Sequence, residues 1–139
     1  DWMRGRSDEF SALNGEAIGW AAGGALVAGV AYTDYNGANL CMHVAALGRR
    51  WLVREYLWAC FDYPFNQLGV QRVTGLVGEG NTEARRFDEH IGFELETTLE
   101  RAHPTGRLYV YRMYREHCKW LKPEFTRRLS TTSATALAA

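Results

Sequence analysis

Neither sign of charge is in excess in this chain: sixteen Lys and Arg balance sixteen Asp and Glu over 139 residues. A neutral chain lacks the diffuse attraction to phosphate that drives non-specific nucleic-acid binding, so none is expected in general. Cysteine is scarce as well. Cys41, Cys60 and Cys118 are three in number, widely spaced and without a C-x-x-C pair, which points to reduced thiols in a cytoplasmic setting rather than a disulfide framework. His43, His90, His103 and His117 show no paired ligand spacing, and no metal site is expected. Long apolar runs are missing too. The longest, Ala17 to Tyr32, is interrupted by Gly19, Gly23, Gly24 and Gly29, which reads as a hairpin and not as a membrane span. No signal-peptide pattern precedes it.

What is present is apolar and aromatic residue in quantity, 47% and 13%, with five Trp. That suffices for one globular domain, expected over residues 1–129, with a flexible Ser/Thr/Ala tail at 130–139. The chain starts at Asp1 without methionine, as a trimmed N-terminus would, and residues 1–13 have the loose apolar side of a short helix. Ala17–Ala21 and Ala25–Thr33 read as strands around Gly23-Gly24, a two-residue hairpin signal. A turn at Tyr35-Asn36-Gly37 leads to a third strand over Asn39–Ala46. The run from Arg49 to Phe61 is apolar on most sides and suits a helix packed on a sheet, limited by Pro64. Gln71–Val77 returns to a strand, parallel to the third because a helix intervenes. Phe93–Leu99 and Leu108–Tyr114 form an antiparallel pair about the turn His103-Pro104-Thr105-Gly106. The expected class is α+β: a mixed, mostly antiparallel sheet flanked by helices.

Between the last parallel strand and that pair lies VGEGNTEARRFDEHIGFE, residues 77–94. Asn81 is a good N-cap, Glu83 falls in the first turn, and Gly92 suits a left-handed stop. Ala84, Phe87 and Ile91 recur on one side of the helix between them, while Arg85, Arg86, Asp88 and Glu89 fill the rest.

Over roughly Ala17 to Tyr114 the chain resembles the GNAT superfamily of acetyl-CoA-dependent N-acyltransferases. The fourth helix of that family commonly reads N-x-x-A-x-x-Y/F-x-x-x-G-F, and Asn81, Ala84, Phe87, Gly92 and Phe93 fall on it. QLGVQRVTGLV is similar to the family's fifth strand and its lead-in, and YVYRMYRE to its last core strand. The pyrophosphate turn, Q/R-x-x-G-x-G/A, is matched only by Arg49, with Leu52 and Arg54 at the glycine positions. Backbone N–H groups at a helix start suit a pyrophosphate, and Gly48, Arg49, Arg50 and Arg54 supply turn freedom and charge. The resemblance implies that two central parallel strands splay apart around the pantetheine arm. It implies cofactor contacts at Val44, Ala45, Ala46, Gly48, Arg49, Arg50, Trp51, Leu52, Val53, Arg54, Asn81, Ala84 and Phe87. A backbone N–H near Val44 or Ala45 would polarise the thioester carbonyl.

Direct attack on acetyl-CoA needs a neutral amine, hence a base. Glu79, at the end of the strand beside the cleft, is the first expectation, and His43, on the third strand, the second. A solvated loop carboxylate and a satisfied core histidine are the structural alternatives. Phe87 stands where many members of the family carry tyrosine, which leaves water, Tyr111 or Tyr114 to protonate the departing thiolate. Cys41 has no base beside it in sequence and reads as an inert thiol. The expected function is N-acetyl transfer from acetyl-CoA to an amine of a small molecule or protein. A catalytically inactive GNAT-like protein-binding or structural module is the alternative. Only a short segment precedes the first strand, where the family usually has a strand and one or two helices; the initial strand is expected to be either absent or outside this sequence, and its loss would leave a sheet edge open to a second copy or another protein.

Overall fold

The computed structural model describes residues 16–22, 24–46, 48 and 54–123. The readings made for 1–13, for 49–53 and for the tail at 130–139 lie outside the described residues.

Local turn chemistry sets the first half of the molecule. Strands β1 (Glu16–Ala22) and β2 (Ala25–Thr33) close their hairpin at the Ala22–Ala25 pair, and Gly24 takes the positive φ of 80° that such a turn demands. The Asn36 side chain accepts from the backbone N–H of Ala38 and Asn39, an Asx turn that launches β3 (Asn39–Ala46). The described part of the first helix, α1, runs Arg54–Asp62.

Pro64 does not end that helix as the sequence suggests. A π-type turn, Tyr63–Gln67, carries the chain on, with the Leu68 N–H reaching back five residues to Tyr63 O. Proline sits at the start of this turn, where its missing N–H costs least, and Asp62 takes the Asn66 and Gln67 amides.

Strand β4 (Arg72–Gly78) leads into α2 (Thr82–Ile91), and β5 (Glu94–His103) and β6 (Gly106–Tyr114) complete the order β1-β2-β3-β4-β6-β5. Every pairing is antiparallel except β3 with β4. This is the mixed α+β architecture read from the sequence. Strand β5 runs four residues past its expected end at Leu99, and among the described residues β1 and β5 form the two edges of the sheet.

Register shows where the core lies. The pairs Tyr32–Met42, Leu40–Val73 and Gly75–Tyr111 put these residues on one face, because partners across a ladder share a side. Helix α1 covers that face: Tyr32 donates to Cys60 O at 2.6 Å, and Phe61 packs against Phe65 and Phe93 with ring centroids 6.3 and 6.2 Å away. Helix α2 lies on the same side, since Arg85 reaches the Tyr111 hydroxyl. Trp120, past the end of β6, donates to Ile91 O and caps the helix layer. The opposite face carries Thr33, Cys41, His43 and Thr74.

Among the described residues no helix is long and apolar enough to cross a membrane. No group of three His, Cys, Asp or Glu gathers there to hold a metal ion.

Candidate active site

Strands β3 and β4 stay together for only three residues. Asn39, Leu40 and Cys41 pair with Arg72, Val73 and Thr74, after which β3 continues to Ala46 and β4 to Gly78 without ladder contact. The fork that the family resemblance implies is thus present, with its vertex at Cys41–Thr74. A cleft of about 840 Å³ occupies it.

Helix α2 walls the cleft. Asn81 caps it, its side-chain oxygen accepting from Ala84 N at 3.2 Å, and Gly92 stops it at φ 116°, where a Cβ would be strained. The cap therefore stands at the top of the fork, where the first-turn N–H groups and the positive end of the helix dipole favour an anion.

Most of the residues expected around the cofactor come together here. Val44, Ala45 and Ala46, with Gly48 just beyond, line one wall; Asn81, Ala84 and Phe87 line the other. Gly48 has φ 70°, the conformation a tight turn out of β3 needs. Arg54, the first described residue of α1, is exposed and is not part of the lining. Arg49, Arg50, Trp51, Leu52 and Val53 lie outside the described residues.

Sequence reasoning missed the polar companions of Phe87. Glu83, Arg86 and His90 fall with it at i, i+3, i+4, i+7 along α2 and line the cleft, joined from β4 by Leu76 and Val77. That spacing was legible, but the apolar stripe through Ala84, Phe87 and Ile91 drew the reading. Arg85 and Glu89 are likewise not simply solvated. The Arg85 guanidinium stacks 3.8 Å above the Tyr109 ring and donates to the Tyr111 hydroxyl at 2.9 Å, which donates to Glu89 at 2.8 Å.

The two expected bases fare differently. Glu79 turns to the β5–β6 turn: its carboxylate accepts from Arg107 N at 2.8 Å, Nε at 3.2 Å and Nη2 at 3.0 Å. Those bonds hold the carboxyl below its usual range, and Glu79 is not part of the cleft lining. A carboxylate so stabilised as an anion is a poor proton acceptor, which removes the reason for ranking Glu79 first.

His43 lines the cleft two positions past the last parallel pair, beside the vertex. Its ring is buried, and burial lowers its pKa from the usual 6.5 against the opposing pull of Asp34, so the neutral imidazole prevails at neutral pH. Nε2 lies 2.8 Å from Thr33 Oγ1.

Hydroxyl and thiol groups offer less. The Tyr111 hydroxyl is engaged as described, and Tyr114 pairs with Arg72 below the fork, so neither reaches the cleft. Thr82 supplies the one hydroxyl among the described lining residues. Burial pushes the Cys41 thiol up to about 11, helped by Asp34, and Cys60 up to about 12, so both stay protonated and inert.

No family model matches the chain, and no curated protein matches it. Solved structures do. An acetyltransferase of the GNAT family from Bacillus anthracis aligns at 18% identity and TM-score 0.61, covering 72% of this chain and 66% of that one. Spermidine N-acetyltransferase SpeG from Vibrio cholerae aligns at 16% and 0.63, covering 82% and 71%. N-acetyltransferase PseH from Campylobacter jejuni, solved with acetyl coenzyme A, aligns at 14% and 0.53, covering 68% and 64%. The chain spans about two thirds of the length of such structures. At these identities the likeness concerns the fold, and the fold is that of the GNAT superfamily.

Proposed function

We propose that this chain binds acetyl-CoA in the β3–β4 fork and transfers the acetyl group to an amine by direct attack. The observation that carries the reading is the fork itself: two parallel strands released from each other after three pairs, with a cleft of about 840 Å³ and a capped helix N-terminus at its mouth. The donor set fits the coenzyme. The β3–β4 ladder ends at Cys41, so Val44–Ala46 border the opened fork, where an extended amide-bearing arm would run along the strand. Gly48, the first turn of α2 and Arg86 supply N–H groups and positive charge suited to phosphate.

The acetyl group enters as substrate, activated as a thioester. A backbone N–H near Val44 or Ala45 then faces the carbonyl oxygen and stabilises the negative charge that develops as the amine nitrogen attacks. His43, neutral beside the vertex, accepts the proton from the attacking nitrogen. As the C–S bond breaks, the resulting imidazolium returns that proton to the thiolate, which dispenses with the tyrosine that Phe87 replaces. Glu83 and Asp88 place carboxylates on the α2 wall, which suits a cationic amine. Spermidine, the acceptor of the Vibrio cholerae relative, is therefore the first amine to try.

Isothermal titration with acetyl-CoA, followed by thiol release with a panel of primary amines, tests the reading. Saturable binding with amine-dependent thiol release is expected; no binding at high micromolar coenzyme refutes it. Binding without release for any amine, in wild type and at all pH values tried, would favour the second reading, a non-catalytic GNAT-like module. Phe87 on the cleft wall is the observation behind that second reading.

A further inference from the structure

Below the fork, side chains as well as the ladder join the two parallel strands. Asn39 on β3 pairs with Arg72 and Cys41 with Thr74, so Asn39, Arg72 and Thr74 share a face. The Thr74 hydroxyl lies 2.6 Å from Asn39 Oδ1 and 3.3 Å from Arg72 Nε. A guanidinium only donates, so Thr74 accepts from Arg72 and gives its single hydrogen to Asn39. Arg72 is fixed in turn, its Nη1 and Nη2 donating to the two carboxylate oxygens of Glu96 at 3.1 and 2.5 Å, a paired and charge-assisted geometry. Asn39 is held at its backbone, where its N–H donates to Asn36 Oδ1 at 2.9 Å and its carbonyl accepts from Asn36 N at 3.1 Å. The result is a polar brace that runs from β5, over β6, to β4 and β3, and it ends at the last rung of the parallel ladder. Thr74 is buried, so water competes little for its bonds.

That rung is the floor of the cleft. The groups suited to phosphate, Gly48 and the first turn of α2, lie at the mouth, so an arm entering there carries its thioester toward the vertex. Met42 and His43, the next residues on β3 past the last rung, line the cleft. An acyl chain longer than acetyl would need the strands to part further. Opening the last rung would draw Thr74 away from Asn39 and leave a buried hydroxyl without its acceptor, a penalty larger than the gain from burying one added methylene. We infer that Asn39 and Thr74, braced by Arg72 and Glu96, are positioning residues that fix the depth of the fork and so restrict the donor to short acyl thioesters, acetyl before butyryl. The inference rests on the coenzyme lying in the fork.

Isothermal titration of the full chain with acetyl-CoA and with butyryl-CoA tests it. Wild type is expected to bind acetyl-CoA at least about tenfold more tightly than butyryl-CoA. Thr74→Val keeps the shape and removes the hydroxyl; the ratio should fall to about threefold or less, and Thr74→Ser should restore it. Asn39→Ala removes the acceptor from its half-buried side, is expected to act in the same direction, and decides the matter should Thr74→Val fail to fold. A wild type without preference between the two thioesters, or a ratio unchanged in either variant that folds, overturns the inference; equal weakening of both thioesters, the mark of a merely structural role, is such an unchanged ratio. If neither thioester binds wild type, the acetyltransferase reading fails instead, and amide hydrogen exchange in the ligand-free chain decides the brace. Amides at Leu40–Met42 and Val73–Gly75 should then exchange about five- to tenfold faster in Thr74→Val than in wild type, and equal rates overturn it.

Discussion

Asn81 is asked to do two jobs, and they can be separated by substitution. As N-cap its side-chain oxygen accepts from Ala84 N at 3.2 Å; as a cleft residue it stands where a coenzyme arm would pass. Asn81→Ala removes both. Loss of the cap costs about 1 kcal/mol, which for a chain of this size lowers Tm by about 3–5 °C. Loss of one hydrogen bond to the ligand adds about a three- to tenfold weakening of acetyl-CoA binding. Asn81→Asp separates the roles. The carboxylate still accepts from Ala84 N and its charge suits the helix N-terminus, so Tm should match wild type or rise slightly. It loses the amide donor and puts a negative charge beside an anionic ligand, so acetyl-CoA should bind more weakly than to Asn81→Ala. Thermal unfolding and isothermal titration on the same three proteins give both numbers. Wild-type affinity in Asn81→Asp would refute the coenzyme contact, and an unchanged Tm in Asn81→Ala would refute the cap.

Phe61 is fully buried between Phe65 and Phe93, and Phe61→Ala should cost about 3–5 kcal/mol in chemical denaturation, with a value under about 1 contradicting the core assigned to α1. For Glu79→Gln, turnover and its pH profile should stay as in wild type, since Arg107 already holds that carboxylate; a loss of a hundredfold or more in kcat would restore Glu79 as the base. His43 should give kcat an acid limb with a midpoint below 6.5, because its folded pKa is lowered by burial, and His43→Ala should remove that limb. The same shift has a stability consequence with a definite sign. The neutral ring is favoured in the fold, so its contribution is fully present above about 6.5 and declines as pH falls below it; denaturation midpoints that rise on acidification through that range in wild type, but not in His43→Ala, would contradict it.

Local signals made much of this molecule legible. Strands Ala25–Thr33 and Asn39–Ala46 have the bounds read from turn residues, because Gly24 and Asn36 act within a few residues of themselves. The capped helix behaves likewise, with Asn81 and Gly92 at its ends. What stayed hidden is non-local. The partner that occupies Glu79 is Arg107, 28 residues on, and only the β4–β6 register brings them together. The Thr33–His43 contact depends on the β2–β3 register in the same way. The full extent of β5 escaped because an edge strand exposed along most of its length, ELETTLERAH, carries no alternation to read. The π-type turn escaped because proline signals a break without saying what geometry follows it.

The central claim is that acetyl-CoA lies in the fork between β3 and β4. Amide proton–nitrogen spectra recorded through a titration with acetyl-CoA test it most directly. The account expects the shifting amides to gather at Val44–Ala46 on β3 and at Gly80–Ala84 around the α2 cap, with β5 left unmoved. Saturating coenzyme that moves no amide, or moves only those outside the fork, would contradict it.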